Sequence, residues 1–172
     1  IVRTLQSSGT SSQIPSTVVI DNLTRTRQMK TLLWLLNESL GSARRPFVVV
    51  DVDPSAGPTS EPTISARSAA LRGFLTSASS STYCMRVDSD GKMSVDLEKL
   101  SEKLMRMQSE KKRVVLFGYT YILYVHAAKK LLEKNINFSL PTSSILHIGG
   151  WKMLQEEAVN KKEFNSTLCQ VF

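Results

Sequence analysis

The sequence predicts an α/β fold, in which helices cover a mostly parallel sheet. Short, continuous apolar runs such as PFVVVD at 46–51 are typical of strands that are buried on both faces. Segments with helical periodicity lie between these runs, so strand and helix alternate along the chain. This order favours parallel strands joined by helical crossovers. The 172 residues predict one α/β domain over 1–172.

The first half of the chain contains one long helix and one buried strand. Asp21 or Asn22 is placed to cap the helix, and Gly41 is placed to end it. The strand follows at 46–51, and the proline-rich stretch 53–63 is predicted to be a loop. The helix is predicted from apolar residues at helical spacing: Met29, Leu32, Leu33, Leu36 and Leu40.

The middle of the chain predicts a second helix, a strand and a third, charged helix. Residues 64–76 have a helical pattern with Gly73 as a weak point, and TYCMRV at 82–87 is typical of a strand. A turn over 88–91 precedes the third helix, for which Ser94 is the predicted N-cap. Its inner face is marked by apolar residues: Leu97, Leu100, Leu104 and Met107.

Two further strand–helix units complete the predicted sheet. RVVLFG at 113–118 is predicted to be a strand followed by a helix to about residue 134. SSILHIGG at 143–150 is predicted to be a strand that runs into two glycines, and WKMLQEEAVNKK after it is predicted to be helical again. Ligands of such sheets collect at the carboxyl ends of the strands, so LFGYT and HIGGWK are the informative loops.

The formal net charge of +7 raises the question of a nucleic-acid partner. The cations, however, are interleaved with acids along the predicted helices, and neither zinc-finger spacing nor an RNA-binding aromatic motif is present. We therefore do not expect nucleic-acid binding. No apolar run is long enough to predict a membrane span.

The two cysteines, Cys84 and Cys169, lack the spacing of a metal or redox motif. They favour a reducing, cytoplasmic setting, and no metal ligands are predicted. The chain begins with Ile1 and shows no signal-peptide pattern, so we expect a piece of a longer protein.

The stretch QSSGTSS at 6–12 places five hydroxyl side chains around Gly9. Hydroxyls and backbone N–H groups beside a glycine can converge on a phosphate. The same composition is also typical of a solvated terminal tail, and residue types alone leave both interpretations open.

Some candidates near the strand ends also have ordinary structural interpretations. His147 either lines a site or is structural, whereas His126 and Tyr121 are expected to be structural. The two glycines at 149–150 could form a ligand site or simply a tight turn between strand and helix.

Three segments in order resemble the LuxE-type acyl-protein synthetases of the adenylate-forming enzymes: SSGTSS at 7–12, FGYTYIL at 117–123 and LHIGGWKML at 146–154. The resemblance implies a subdomain of the large catalytic domain of such an enzyme. It also implies that the chain is a fragment, without the ribose-binding acid, the hinge and the lid. The family's acceptor cysteine lies further on, so Cys169 is not expected to take that role.

The resemblance implies three groups of site residues. Ser7, Ser8, Gly9, Thr10, Ser11 and Ser12 would bind the phosphates of ATP, although Ser12 stands where the family usually has glycine and the lysine common a few positions later is missing. His147, Gly149, Gly150, Trp151 and Lys152 would form the adenine pocket. Gly118 and Tyr119 would border the acyl pocket, and no catalytic residue is assigned.

The activity implied is ATP- and Mg²⁺-dependent activation of a carboxylic acid, such as a fatty acid, followed by transfer to a thiol. An acyl-reductase or acyl-transferase partner would be consistent with such an enzyme, and the fragment alone is expected to be inactive. Two alternatives stay open: a CoA ligase-like adenylating enzyme, and a non-enzymatic basic α/β binding module.

Overall fold

The computed structural model describes residues 3–6, 16–55, 63–151 and 155–172. The predicted phosphate-binding residues 7–12 and Lys152 lie outside the described residues. The chain divides into two compact units, which are described separately: unit 1 comprises Ile1–Arg44 and Pro54–Ser79, and unit 2 comprises Arg45–Asp53 and Ser80–Phe172. The α/β class predicted from the sequence is confirmed.

Unit 1 contains a three-stranded sheet and two α-helices. Its sheet has the order β2-β1-β4, in which β1 runs antiparallel to β2 and parallel to β4. The helices α1 and α2 contact each other, and α2 also contacts β1 and β4. Its elements are β1 (Arg3–Gln6), β2 (Thr17–Ile20), α1 (Asn22–Leu40), β4 (Thr63–Ser65), α2 (Ala66–Phe74) and a 3₁₀-helix (Leu75–Ser77).

The ends of α1 are those that the sequence predicts. The Asp21 carboxylate accepts a hydrogen bond from the backbone N–H of Thr24 at 2.6 Å, as an N-cap does. Gly41 follows the last turn with φ of 82°, a conformation that glycine adopts without strain. Capping chemistry thus fixes both ends of this helix.

The segment predicted as a helix over 64–76 is shorter in the structure, because residues 63–65 pair as β4. Gly73 is buried, and a Cβ placed on it would lie 3.1 Å from a methyl carbon of Leu32. The glycine that weakens the helical pattern therefore allows α1 and α2 to approach each other closely.

Unit 2 is built on a four-stranded sheet of order β5-β3-β8-β9. The strands β3, β8 and β9 run parallel to one another. A separate antiparallel hairpin joins β6 to β7. The elements are β3 (Arg45–Val50), β5 (Ala78–Tyr83, with 80–83 in this unit), β6 (Met85–Val87), β7 (Met93–Val95), α3 (Leu97–Ser109), β8 (Val115–Tyr119), a π-helix (Ile122–Ala128), α4 (Lys129–Glu133), β9 (Ser144–Ile148), a 3₁₀-helix (Gln155–Glu157) and α5 (Lys161–Val171).

The predicted buried strands are present, and β8 is the most enclosed of them. All five of its residues are buried, as a strand with parallel neighbours on both sides should be. In register, Val50 lies opposite Gly118, and Gly118 lies opposite His147. This pairing aligns the carboxyl ends of β3, β8 and β9.

Two predictions around Cys84 are wrong. The stretch 82–87 is not one strand, because β5 ends at Tyr83 and Met85–Val87 pairs with β7 in the separate hairpin. Cys84, between them, still donates its backbone N–H to the carbonyl of Val49 in β3 at 2.8 Å. The N-cap of α3 is Asp96 and not Ser94, since the Asp96 carboxylate accepts from the N–H of Lys99 at 3.1 Å. Ser94 is instead paired within β7.

The last predicted helix also begins later than expected. The described residues after Trp151 form only a short 3₁₀-helix, and α5 begins at Lys161. The Asn160 side chain caps α5 by accepting from the N–H of Glu163 at 2.9 Å. Phe164, Leu168 and Val171 then bury one face of α5.

No helix within the described ranges is both long enough and apolar enough to cross a membrane.

The two cysteines are expected to differ sharply in reactivity. Burial raises the pKa of the Cys84 thiol to about 11, so at about pH 8 roughly one molecule in a thousand carries the thiolate at this position. Cys169 is exposed. An aromatic disulfide reagent should therefore modify Cys169 of the folded protein rapidly and Cys84 only in denaturant. Peptide mass spectrometry after a short exposure measures the labelling of each residue, and rapid labelling of Cys84 would contradict its buried position.

Candidate functional site

The candidate site lies in unit 2, where β3, β8 and β9 end. Parallel strands bring their carboxyl ends to one edge of a sheet, and ligands of such sheets bind at that edge. Asp51 follows β3, Thr120 follows β8, and Gly149 follows β9. The register pairs Tyr119 with Ile148, which places Thr120 beside the glycine turn.

The hydroxyl of Thr120 joins the start of one helix to the end of β9. Thr120 is 7% exposed, and its Oγ1 lies 3.0 Å from Nδ1 of His147. The same oxygen lies 3.2 Å from the carbonyl oxygen of Ile148 and 3.1 Å from that of Gly149. A carbonyl oxygen can only accept a hydrogen bond, so we assign the Thr120 hydroxyl as the donor to the carbonyls of Ile148 and Gly149. Nδ1 of His147 then carries a proton and donates it in a hydrogen bond to Thr120 Oγ1.

This assignment leaves Nε2 of His147 as a hydrogen-bond acceptor. Partial burial lowers the pKa of His147 below its ordinary value of 6.5, which favours the neutral imidazole at physiological pH. The ring centroid lies 4.8 Å from that of Phe164, so packing fixes the ring in addition to the hydrogen bond. The site therefore presents an oriented acceptor rather than a cation.

The two glycines after β9 are structurally different. Gly149 has φ of 74°, and a Cβ on it would lie 3.0 Å from Cδ1 of Tyr119. A Cβ on Gly150 would meet no atom of the described residues within 4 Å. Gly149 is thus required by backbone conformation and packing, whereas the backbone at Gly150 is open to a flat ligand.

Trp151 is held by an aromatic cluster, which we define as Tyr124, Trp151 and Phe164. The Trp151 ring packs edge-on against Tyr124 at 5.4 Å and against Phe164 at 6.2 Å between centroids. Tyr124 and Phe164 stack at 5.7 Å, and the Tyr124 hydroxyl donates to the Glu163 carboxylate at 3.2 Å. The cluster fixes the chain directly after the glycine turn.

The helix that follows β8 is π-helical over Ile122–Ala128. Such widened turns are rare, and they often lie next to functional sites. Three consecutive residues of this one, Ile122, Leu123 and Tyr124, are buried. Leu123 packs against Gly118, and Tyr124 stacks on Phe164.

The residues predicted to border an acyl pocket are both enclosed. A Cβ on Gly118 would lie 3.0 Å from Leu123 and 3.3 Å from Val50, so the glycine permits tight packing there. Tyr119 is 7% exposed and lies against Gly149. Their role beside an acyl chain stays a prediction.

The sequence reasoning missed Asp51 and Thr120. Asp51 is 1% exposed, and its carboxylate accepts from the N–H of Val52 at 2.7 Å. Both residues directly follow buried parallel strands, and that position is the signal that would have identified them. The two residues expected to be structural, His126 and Tyr121, contact each other at 6.2 Å between rings.

Within the described ranges, no group of three or more His, Cys, Asp or Glu side chains is placed to hold a metal ion. The predicted phosphate-binding residues 7–12 follow β1 in unit 1, where Gln6 pairs with Thr17.

Comparison with known proteins gives one family and one relative. The family model described as "Acyl-protein synthetase, LuxE" matches residues 1–172. A "Long-chain-fatty-acid--luciferin-component ligase" of Aliivibrio fischeri is 32% identical over 89 residues, which cover 50% of this chain and 22% of that protein. No solved structure matches. The matched part of the chain thus spans less than a quarter of the relative's length.

Substitutions of the two glycines should separate their roles. Gly149→Ala should lower the free energy of unfolding by roughly 1–3 kcal/mol, because it combines a positive φ with a close contact to Tyr119. Gly150→Ala should change that free energy by less than about 0.5 kcal/mol, since its Cβ enters open space. Urea denaturation of both variants measures the difference, and equal effects would refute the geometry of the turn.

Replacing Thr120 tests the hydrogen bonds at the edge. Thr120→Val keeps the shape but removes the hydroxyl, and it should cost about 1–3 kcal/mol by leaving buried polar groups unpaired. Imidazole ¹⁵N NMR shifts should report an Nδ1–H tautomer for His147 in the wild type and a loss of that preference in Thr120→Val. Thr120→Ser should restore it. An Nε2–H tautomer in the wild type would show that our assignment is wrong.

Proposed function

The chain belongs to the LuxE family of acyl-protein synthetases, and on that premise we propose that the full-length protein activates a fatty acid with ATP and transfers the acyl group to a thiol. The family match over residues 1–172 is the observation that carries this proposal. The relative's name as a long-chain-fatty-acid ligase supports the substrate class. The open glycine turn at the sheet edge supports the nucleotide half of the site.

The glycine turn is suited to the adenine ring of ATP. The open face of Gly150 lets a flat base approach the backbone closely. Nε2 of His147, held as an acceptor by Thr120, complements the exocyclic amino group of adenine, which is a donor. Trp151 forms the wall beside the turn, and Lys152 completes the proposed set of adenine-pocket residues.

The phosphates would be bound by the hydroxyl-rich stretch of unit 1. Ser7, Ser8, Gly9, Thr10, Ser11 and Ser12 supply hydroxyl and N–H donors, which suit the β- and γ-phosphates. Mg²⁺ would enter as the ion of the ATP complex.

The reaction proceeds in two steps. A carboxylate oxygen of the fatty acid attacks the α-phosphorus of ATP, the bond to the bridging oxygen of the β-phosphate breaks, and pyrophosphate leaves. A thiolate then attacks the acyl carbonyl carbon, the bond to the phosphate oxygen breaks, and AMP leaves with the electron pair. An acyl-reductase or acyl-transferase would receive the product.

Exchange of labelled pyrophosphate into ATP tests the first step in the full-length protein. We expect exchange that requires both Mg²⁺ and a fatty acid, because the adenylation step is reversible. The matched variants are Gly150→Leu, which fills the open space at the turn, and Gly150→Ala, which fills little of it. Gly150→Leu should raise the KM for ATP by about ten-fold with a smaller effect on kcat, since it removes binding common to substrate and transition state.

The outcomes of this experiment are distinct. Failure of every carboxylate to support exchange would overturn the enzymatic proposal. Normal exchange in Gly150→Leu would overturn only the placement of adenine. Mass spectrometry then identifies the acceptor, because an acyl thioester on the protein supports the acyl-protein synthetase and acyl transfer solely to added CoA supports a CoA ligase.

A further inference from the structure

Unit 1 contains a cavity of about 460 Å³ between its helices and its sheet. Leu5 of β1 and Ile20 of β2 contribute from the sheet, and Met29 and Leu32 contribute from α1. The volume falls within the range of small-molecule sites, which are about 300–1,000 Å³. All of the residues that line the cavity belong to unit 1.

The cavity exists because α2 presents small residues to it. Ala66, Ala69, Ala70 and Gly73 recur at helical spacing along the lining face of α2. Gly73 packs directly against Leu32, whereas the short side chains of the three alanines leave space in the lining. The space is open to solvent on one side and is mostly apolar, so it is suited to an apolar ligand.

The charged groups of the lining are all cationic. Arg25 and Arg72 line the cavity, and no Asp or Glu is among its described lining residues. A guanidinium nitrogen of Arg72 donates to the carbonyl of Pro54 at 2.9 Å, which holds that side chain in place. Arg25 has no ion pair among the described residues, so its guanidinium can bind an anion.

We propose that this cavity binds the hydrocarbon chain of a fatty acid, with its carboxylate at Arg25. An apolar groove with cationic groups in its lining complements an amphiphilic anion, which has an apolar chain and one charged end. The inference rests on the proposed function, which supplies the fatty acid as substrate. It places the chain of that substrate in unit 1 rather than beside Gly118 and Tyr119.

Binding of dansyl-undecanoate to the full-length protein without ATP tests the cavity. Ala70→Leu adds a branched side chain to the cavity and should weaken binding by about ten-fold or more. Ala43→Leu is the matched control, because Ala43 is exposed and does not line the cavity. Circular dichroism and thermal melting must show that both variants are folded. A third variant, Arg25→Gln, tests the site without altering its packing.

Competition by dodecanoate and by dodecanol tests whether the carboxylate of the ligand pairs with Arg25. Arg25→Gln should weaken the binding of dodecanoate by about five-fold, as expected for the loss of one exposed ion pair, and it should leave the binding of dodecanol unchanged. Arg27→Gln is the control, since Arg27 lies on the same helix but does not line the cavity. An equal effect of both arginine variants, or wild-type binding by Ala70→Leu, would overturn the proposal.

Pyrophosphate exchange separates this inference from the proposed function. A higher KM for the fatty acid in Ala70→Leu, with the KM for ATP unchanged, would support the cavity as the substrate site. An unchanged KM for the acid would overturn the cavity as the substrate site and leave the proposed function intact. Absence of exchange in the wild type, with the expected binding pattern, would overturn the function but support the cavity as a fatty-acid site.

Discussion

The parallel pairing of β8 with β3 on one side and β9 on the other is the constraint on which unit 2 depends. It brings three strand ends to one edge and buries every residue of β8. Gly118 makes the arrangement compact, because it allows Val50 and Leu123 to close around the strand. The polar groups at the edge are then placed by the sheet rather than by flexible loops, which suits a site that must be held rigid.

A single hydroxyl organises that edge. Thr120 Oγ1 lies within hydrogen-bonding distance of one imidazole nitrogen and two carbonyl oxygens, so it fixes a side chain and a turn together. The two glycines have different roles: Gly149 adopts the positive φ that the turn requires, and Gly150 has no described side chain or backbone atom close to its Cβ position. The aromatic cluster anchors the chain just beyond them. Rigid surroundings thus frame a small open surface.

The two units offer different chemistry. Unit 2 presents a polar edge with a neutral histidine, a buried carboxylate and an open turn, whereas unit 1 contains an apolar cavity with arginines in its lining. The activation of a fatty acid that we propose would need both kinds of surface, because one proposed substrate is a polar nucleotide and the other is an amphiphile. The positive charge of the chain is consistent with anionic ligands of this kind.

The sequence by itself determined the α/β class, the three parallel strands, the ends of α1 and the family, because these depend on local periodicity, capping chemistry and a specific Gly-Gly-Trp-Lys motif. Only the tertiary structure decided the break at Cys84, the start of α5, the hydrogen bonds of Thr120 and the cavity beside α2. These features depend on which side chain meets which neighbour across the fold. A hydroxyl that directly follows a strand, or an alanine on a helix, has no local pattern that reveals its partner or the space beside it.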